Sequence, residues 1–118
     1  MIWYADGAGW DGSCSRYAVV RQDSRSYPTL KVEFGEFTNN EMEYKAAIYA
    51  AQNAEAGDTI KLDSELVCNQ VNGNYKVRKG NLKPLHEKLK RLMLEKNLKI
   101  EWVPRNQNKA GKVLERIK

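Results

Sequence analysis

Asp6, Glu43 and Asp63 are three acids at wide spacing, two of them closing short apolar segments and the third lying among alanines in a helical pattern. Carboxylates brought together from separate elements are what a hard divalent cation such as Mg²⁺ or Mn²⁺ requires, since these ions take oxygen ligands. Glu43 is the most informative of the three. On a wheel turning about 100° per residue, Ala46, Ala47, Ala50 and Ala54 all fall within about 60° of it, while Glu41, Lys45 and Gln52 point the other way. The acid therefore faces inward, where a carboxylate is costly unless it is protonated, paired or bound to a cation. A glutamate near a helix start is also favoured by the helix dipole, so the alanine stripe alone does not decide its role.

The elements that would position these acids can be read from pattern. Residues 2–6 form an aromatic and aliphatic strand expected to stop at Asp6, because Gly7-Ala8-Gly9 breaks it. Strands are expected near 16–22 and 29–37, the latter with Leu30, Val32 and Phe34 alternating with polar residues. The alanine-striped helix covers 40–54 and ends near Gly57. Residues 58–63 form a strand that stops at Asp63, with Ser64 as cap of a short helix to Val71. After Asn72-Gly73 and a basic loop, Asn81 is expected to cap a longer helix whose Leu82, Leu85, Leu89 and Leu92 make a core stripe. A strand at 98–103 and a final helix from Asn108 toward the end complete the order. Both aspartates thus fall at carboxyl ends of strands, where α/β sheets build ligand sites, although a lone aspartate there is commonly a cap or turn former.

Composition bounds the remaining choices. The chain has 118 residues, 42% hydrophobic and 30% charged, enough for a single domain spanning 1–118 with one modest core. No apolar run approaches the roughly 20 residues of a membrane span, and no basic start leads into a secretory apolar stretch. A soluble, cytoplasmic, monomeric protein is expected. Cys14 and Cys68 lack metal-ligand spacing and are expected to be free thiols, and His86, the single histidine, is expected at the surface or its boundary. Residues 74–99 hold nine Lys or Arg against two acids, a net of +7 that leaves −2 for the rest of a chain of net +5. Such a one-sided field beside a cluster of acids suits a polyanion held by its phosphates, and it would equally suit a solvated lysine-rich helix.

Taken in order, Tyr4-Ala5-Asp6-Gly7-Ala8, Thr38-Asn39-Asn40-Glu41-Met42-Glu43, Leu62-Asp63-Ser64-Glu65-Leu66, Asn69-Gln70-Val71-Asn72-Gly73 with Tyr75-Lys76-Val77, and Asn81-Leu82-Lys83-Pro84-Leu85 resemble the motifs of the type 1 ribonuclease H family, in its short archaeal-like branch. The resemblance spans nearly the whole chain. It implies an α/β fold, the ribonuclease H-like fold, with a mixed five-stranded sheet in the order 3-2-1-4-5, the first three strands antiparallel, and helices on both faces. It also implies endonucleolytic cleavage of the RNA strand of an RNA–DNA hybrid, assisted by one or two Mg²⁺ or Mn²⁺ ions. By the same resemblance, Asp6, Glu43 and Asp63 are the catalytic and metal-holding residues. Gly7, Ala8, Thr38, Asn39 and Asn40 contact substrate, and Lys76, Arg78 and Lys79 follow its backbone.

The chain departs from that pattern near its end. The family usually carries a fourth acid in an NxxADxLA-like helix, and here its place falls on Lys112, between the matching Asn108 and Leu114. An ammonium cannot ligate Mg²⁺. Three accounts follow: a three-carboxylate enzyme of reduced activity, an oxygen supplied instead by Asn108 or Glu115, or a module that binds hybrid or double-stranded RNA without turnover. A DNA-directed nuclease of the same fold is a further class, against which the TNNxxE motif argues. Glu65 stands where some relatives carry a groove-contacting Gln.

Overall fold

The computed structural model describes residues 1–22 and 28–116. Along the chain these form β1 (Ile2–Ala8), β2 (Ser15–Arg21), β3 (Thr29–Glu33), α1 (Asn39–Asn53), β4 (Thr59–Leu62), α2 (Glu65–Val71), α3 (Lys83–Lys96), β5 (Lys99–Trp102), a 3₁₀ turn at Arg105–Gln107, and α4 (Lys109–Arg116). The last two residues of the expected final helix lie outside the described residues. The strands make one sheet in the order β3-β2-β1-β4-β5. β1 pairs antiparallel with β2, and β2 with β3, whereas β4 is parallel to both β1 and β5.

Alternation along the strands sends side chains to two unequal cores. Trp3, Ala5, Tyr17, Val19, Ile60, Leu62 and Ile100 pack with α1, α2 and α3 in the larger one. On the opposite face Tyr4 and Ala18 meet Ala110 and Leu114 of α4. Leu89 and Leu82 of the α3 stripe are buried, and Leu85 and Leu92 pack partly buried against the same core. Leu30 and Val32 lie on the edge strand and stay partly exposed, and Phe34 beyond it is 87% exposed.

Three expected boundaries differ from the structure, each because a tertiary partner overrides a local signal. β1 does not stop at Asp6. It continues to Ala8, since Gly7 and Ala8 still pair with Tyr17 and Arg16 of β2, while its parallel pairing with β4 ends at Tyr4. β3 ends at Glu33 rather than Phe37. The Ser15 hydroxyl donates to the Gly35 carbonyl at 2.8 Å and accepts from the Phe37 N–H at 3.3 Å, replacing the ladder there. Asn81 does not cap α3: the cap position belongs to Leu82, which makes no side-chain bond, and Pro84 sits in the first turn.

Local chemistry accounts for the helix ends that matter to the site. Thr38 and Glu41 form a reciprocal capping box at the start of α1, each side chain bonding the other's backbone N–H. At the other end, the Lys96 ammonium donates to the carbonyls of Ala51, Gln52 and Ala54 at 2.8–2.9 Å, tying the end of α3 to the end of α1. Asn97 closes α3 in the left-handed conformation, φ 52°.

A buried anchor joins β1 to the α1–β4 turn. Trp3 Nε1 and the Glu55 N–H both donate to Asp58 Oδ2, at 2.9 and 2.8 Å. Burial alone would raise the Asp58 pKa, yet those donors and the neighbouring Met1 amino group hold it below its ordinary value. A carboxylate lowered in the folded state stabilises above its unfolded pKa, and that stability is lost as pH falls through the folded value. We expect Asp58→Asn to lower stability at pH 7 by about 1–3 kcal/mol. In thermal melts, the gap from the parent protein should close as pH is taken below about 4.

Candidate metal centre

Gly7 determines how α1 meets the sheet. A Cβ built on it would collide with the carbonyl carbon of Met42 and lie 2.5 Å from the Glu43 nitrogen, so only glycine lets the helix backbone rest on β1 here. That contact brings Glu43 beside Asp6. The Gly7 N–H donates to Glu43 Oε1 at 3.2 Å, and the helix around Glu43 is lined by buried Ala46, Ala47 and Ala50. Asp63 arrives from the end of β4, with Ser64 capping α2 just after it by accepting from the Val67 N–H. Asp6, Glu43 and Asp63 each offer a carboxylate oxygen, and the three oxygens lie within 4.8 Å of one another.

The electrostatics of this cluster are unbalanced. Glu43 Oε2 is buried and has no hydrogen-bond partner among the described residues. Burial, reinforced by Asp6, pushes the Glu43 carboxyl well above its ordinary pKa, against the opposing Gly7 N–H. Asp63 is raised as well, first by burial and then by Asp6, with Asn108 and Arg105 pulling it down. An orphaned buried oxygen at the meeting point of three carboxylates, with no thiol or imidazole among the clustered groups, is a donor set fitted to a hard divalent cation.

Asn108, named above as a candidate oxygen donor, and residues carrying no sequence signal, Trp102 and Arg105, complete the surroundings. Asn108 is fully buried, and its amide nitrogen donates both to the Ala5 carbonyl at 3.0 Å and to Asp63 Oδ2 at 3.1 Å. Its oxygen accepts from the Ala110 N–H. Asn108 thus positions Asp63 and pins α4 to β1, with its oxygen already committed to α4. Trp102 Nε1 donates to the Asp63 carbonyl at 3.1 Å, holding the backbone of the same acid. Beside the cluster opens a cleft of about 180 Å³ whose lining includes Asp6, Glu43, Asn39, Arg105, Gly111 and Glu115. Arg105 carried no periodic or motif signal, because its place comes from the 3₁₀ turn after β5.

The residue of α4 nearest the acids is Gly111, and Lys112 is not among the residues lining the cleft. Lys112 is exposed, and a Cβ added at Gly111 would stand 3.1 Å from Asp6 Oδ2 and 3.8 Å from Asp63 Oδ2. Glu115, one turn on, lines the cleft. Gly7, Ala8 and Asn39 also line it, and the Asn39 side-chain oxygen accepts from the Gly9 N–H at 2.7 Å. Thr38 and Asn40 sit at the start of α1, the former engaged in its cap. Lys76, Arg78 and Lys79 are exposed on the loop between α2 and α3 and do not line this cleft. His86 is half-buried and its Nε2 lies 3.2 Å from the Gln70 carbonyl oxygen, and both cysteines are free.

Comparison with known proteins bears on this geometry. The sequence model of the family described as RNase H matches residues 1–111. The chain is 34% identical over 107 residues to a putative hydrolase, EbsB, of Enterococcus faecalis, covering 83% of this chain and 77% of that protein. It is also 34% identical over 83 residues to the bifunctional protein Rv2228c of Mycobacterium tuberculosis, covering 66% of this chain and only 23% of that much longer protein. Among solved structures it is similar to the N-terminal RNase H domain of Rv2228c from M. tuberculosis, solved as a fusion with maltose-binding protein. That match has TM-score 0.79 and 25% identity, covering 98% of this chain and 93% of that one. LC11-RNase H1 in complex with an RNA/DNA hybrid superposes with TM-score 0.80 at 29% identity, covering 96% and 91%.

The raised carboxyls set the sign of a pH effect. Groups whose folded pKa lies above the unfolded value stabilise at low pH, and that contribution is lost as pH rises through the folded value. The metal-free protein should therefore lose stability above about pH 5, where the unfolded chain would already ionise these acids. Thermal melts should show a Mn²⁺ or Mg²⁺ stabilisation larger at pH 8 than at pH 5. Glu43→Gln should raise the metal-free melting temperature and shrink the cation's effect.

Proposed function

This chain belongs to the RNase H family, and from that premise we propose that it is a metal-dependent endonuclease that hydrolyses the RNA strand of RNA–DNA hybrids. The observation that carries the proposal is the convergence of Asp6, Glu43 and Asp63 on one point, with Glu43 Oε2 buried and unpartnered there. Asp6, Glu43 and Asp63 would hold the cation, Mg²⁺ or Mn²⁺, as one ion or two. When bound, such an ion lowers the pKa of a water nucleophile and offsets charge developing on the phosphate and the leaving 3′ oxygen.

The chain's own residues divide the remaining work. The Gly7 N–H holds one oxygen of Glu43 and leaves the other for a ligand, while Asn108 and Trp102 hold Asp63 by its side chain and its backbone. Arg105 places a guanidinium in the cleft beside the acids, where a phosphodiester would bring negative charge. Gly7, Ala8 and Asn39 line that cleft, and with Thr38 and Asn40 they would meet the hybrid's groove and backbone, where a 2′-hydroxyl distinguishes RNA from DNA. Lys76, Arg78 and Lys79 would follow the phosphates from their exposed loop. The reading takes residues 1–118 as one ribonuclease H-like domain, acting as a monomer in the cytoplasm. Free Cys14 and Cys68 suit a reducing compartment, and no helix among the described residues is long and apolar enough to cross a membrane.

Turnover is proposed to be slow, because the cluster holds three acids and Lys112 stands where the family pattern has a fourth. The same observation favours a second reading, binding of hybrid without cleavage, and one experiment separates them. With a labelled hybrid and Mg²⁺ or Mn²⁺, cleavage should fall about a hundredfold or more in Asp6→Asn, since several kcal/mol of charge stabilisation depend on the bound ion. Binding in both proteins should weaken with salt. No metal-dependent cleavage by the parent protein, with binding intact, would replace the nuclease with the binding module. Replacing Lys76, Arg78 and Lys79 together by Ala should reduce the slope of log affinity against log salt by roughly 2 to 3.

A further inference from the structure

Glu115 stands one turn beyond Gly111 on α4, and both line the cleft of about 180 Å³ beside the acid cluster. Side chains on a helix lean toward its N-terminus, so each covers the turn before its own Cα. The Glu115 side chain therefore leans back over position 111, where glycine has no side chain to oppose it. Asp6 Oδ2 lies across that gap, 3.1 Å from where a Cβ on residue 111 would stand. Glycine is a poor helix former, and what it contributes inside the eight-residue α4 is this opening.

The Glu115 carboxylate is exposed and uncommitted. No hydrogen bond or ion pair engages it among the described residues, although Lys112 precedes it by three positions and Arg105 lines the same cleft. A lysine ahead of a glutamate is the weaker order for a helical ion pair. The cleft lining thus sets Asp6, Glu43 and Glu115 against one guanidinium. Clustered acids alone say little, and the independent sign of a cation is Glu43 Oε2, buried in this lining with no partner among the described residues. The group whose oxygens all lie within 4.8 Å of one another is Asp6, Glu43 and Asp63, so Glu115 stands outside it, across Gly111 from Asp6.

We propose that Glu115 takes over the part of the acid missing at Lys112, holding a second divalent cation together with Asp6 across the space that Gly111 leaves. This rests on the metal-dependent reading above and assigns residues to the second of its ions. Oxygen donors suit Mg²⁺ or Mn²⁺, and the two oxygens of Asp6 let one carboxylate serve both ions. Glu115 reaches in from an exposed position, so the second ion is held less tightly than the one among the three clustered acids.

The test counts Mn²⁺ bound to the full chain without substrate, from the EPR signal of the free ion. The parent chain should bind two ions, one tightly and one weakly. Glu115→Gln should weaken the second about tenfold and leave the first unchanged, because a neutral amide replaces a charged ligand. Glu95→Gln, which removes the same charge from the exposed surface of α3, should match the parent. A second ion indifferent to Glu115→Gln overturns the assignment, and so does an equal loss in Glu95→Gln, which marks a general effect of charge. Metal-free melting temperatures of both variants should equal that of the parent, since both glutamates are exposed. A parent chain that binds one Mn²⁺, lost in Asp6→Asn, overturns the second ion while the nuclease reading stands. A parent chain that binds none ends both.

Discussion

The contact between the backbone of α1 and β1 at Gly7 is the constraint from which the site follows. Asp6 points to the α4 side of the sheet, whereas α1 packs on the other, so a carboxylate from each can meet only where the helix crosses the strand without intervening side chains. Gly7 removes the side chain on the strand, and the alanines of α1 keep the helix close along its length. The strand continues two residues past Asp6 because β2 still pairs with it, and this supports Gly7 and its N–H beneath Glu43. A looser packing would separate the acids and at the same time relieve their repulsion.

That repulsion is a cost the fold carries for its site. Two of the three acids, Glu43 and Asp63, are pushed above their ordinary pKa values by burial first and then by Asp6, and one oxygen has no partner among the described residues. The compensations present are partial and specific: one N–H for Glu43, one amide and one nearby guanidinium for Asp63. Each fixes a carboxylate without neutralising the group. Local rules for burying charge are broken here while they hold at the capping box, the Asp58 anchor and the Lys96 staple, which is the usual mark of a functional site.

The orientation of α4 bears on the place of the missing acid. Ala110 and Leu114 insert against Tyr4 and Ala18, and Asn108 ties the start of the helix to Ala5. With those contacts set, the residue turned to the acids is Gly111, Lys112 is exposed and does not line the cleft, and Glu115 lines it. A glycine at the point of contact leaves room beside Asp6 and Asp63 that any larger residue would fill.

Much of this was legible in the chain. Helix α1 and its inward Glu43, the α3 leucine stripe, the Ser64 cap and the strands flanking both aspartates follow from periodicities and caps that act within a few residues. The sheet order came through resemblance of ordered motifs, and the structure has that order. Contacts between distant residues escaped local pattern. The end of β3 is taken over by Ser15, Asn81 yields its cap position to Leu82, and Asn108 spends its amide on Ala5, 103 residues away, and on Asp63. Residue types and short-range spacing determine which groups are available and which face of an element they occupy. Which groups meet is decided by how closely the elements pack and how each helix is rotated, and those are set by the summed fit of side chains far apart in the sequence.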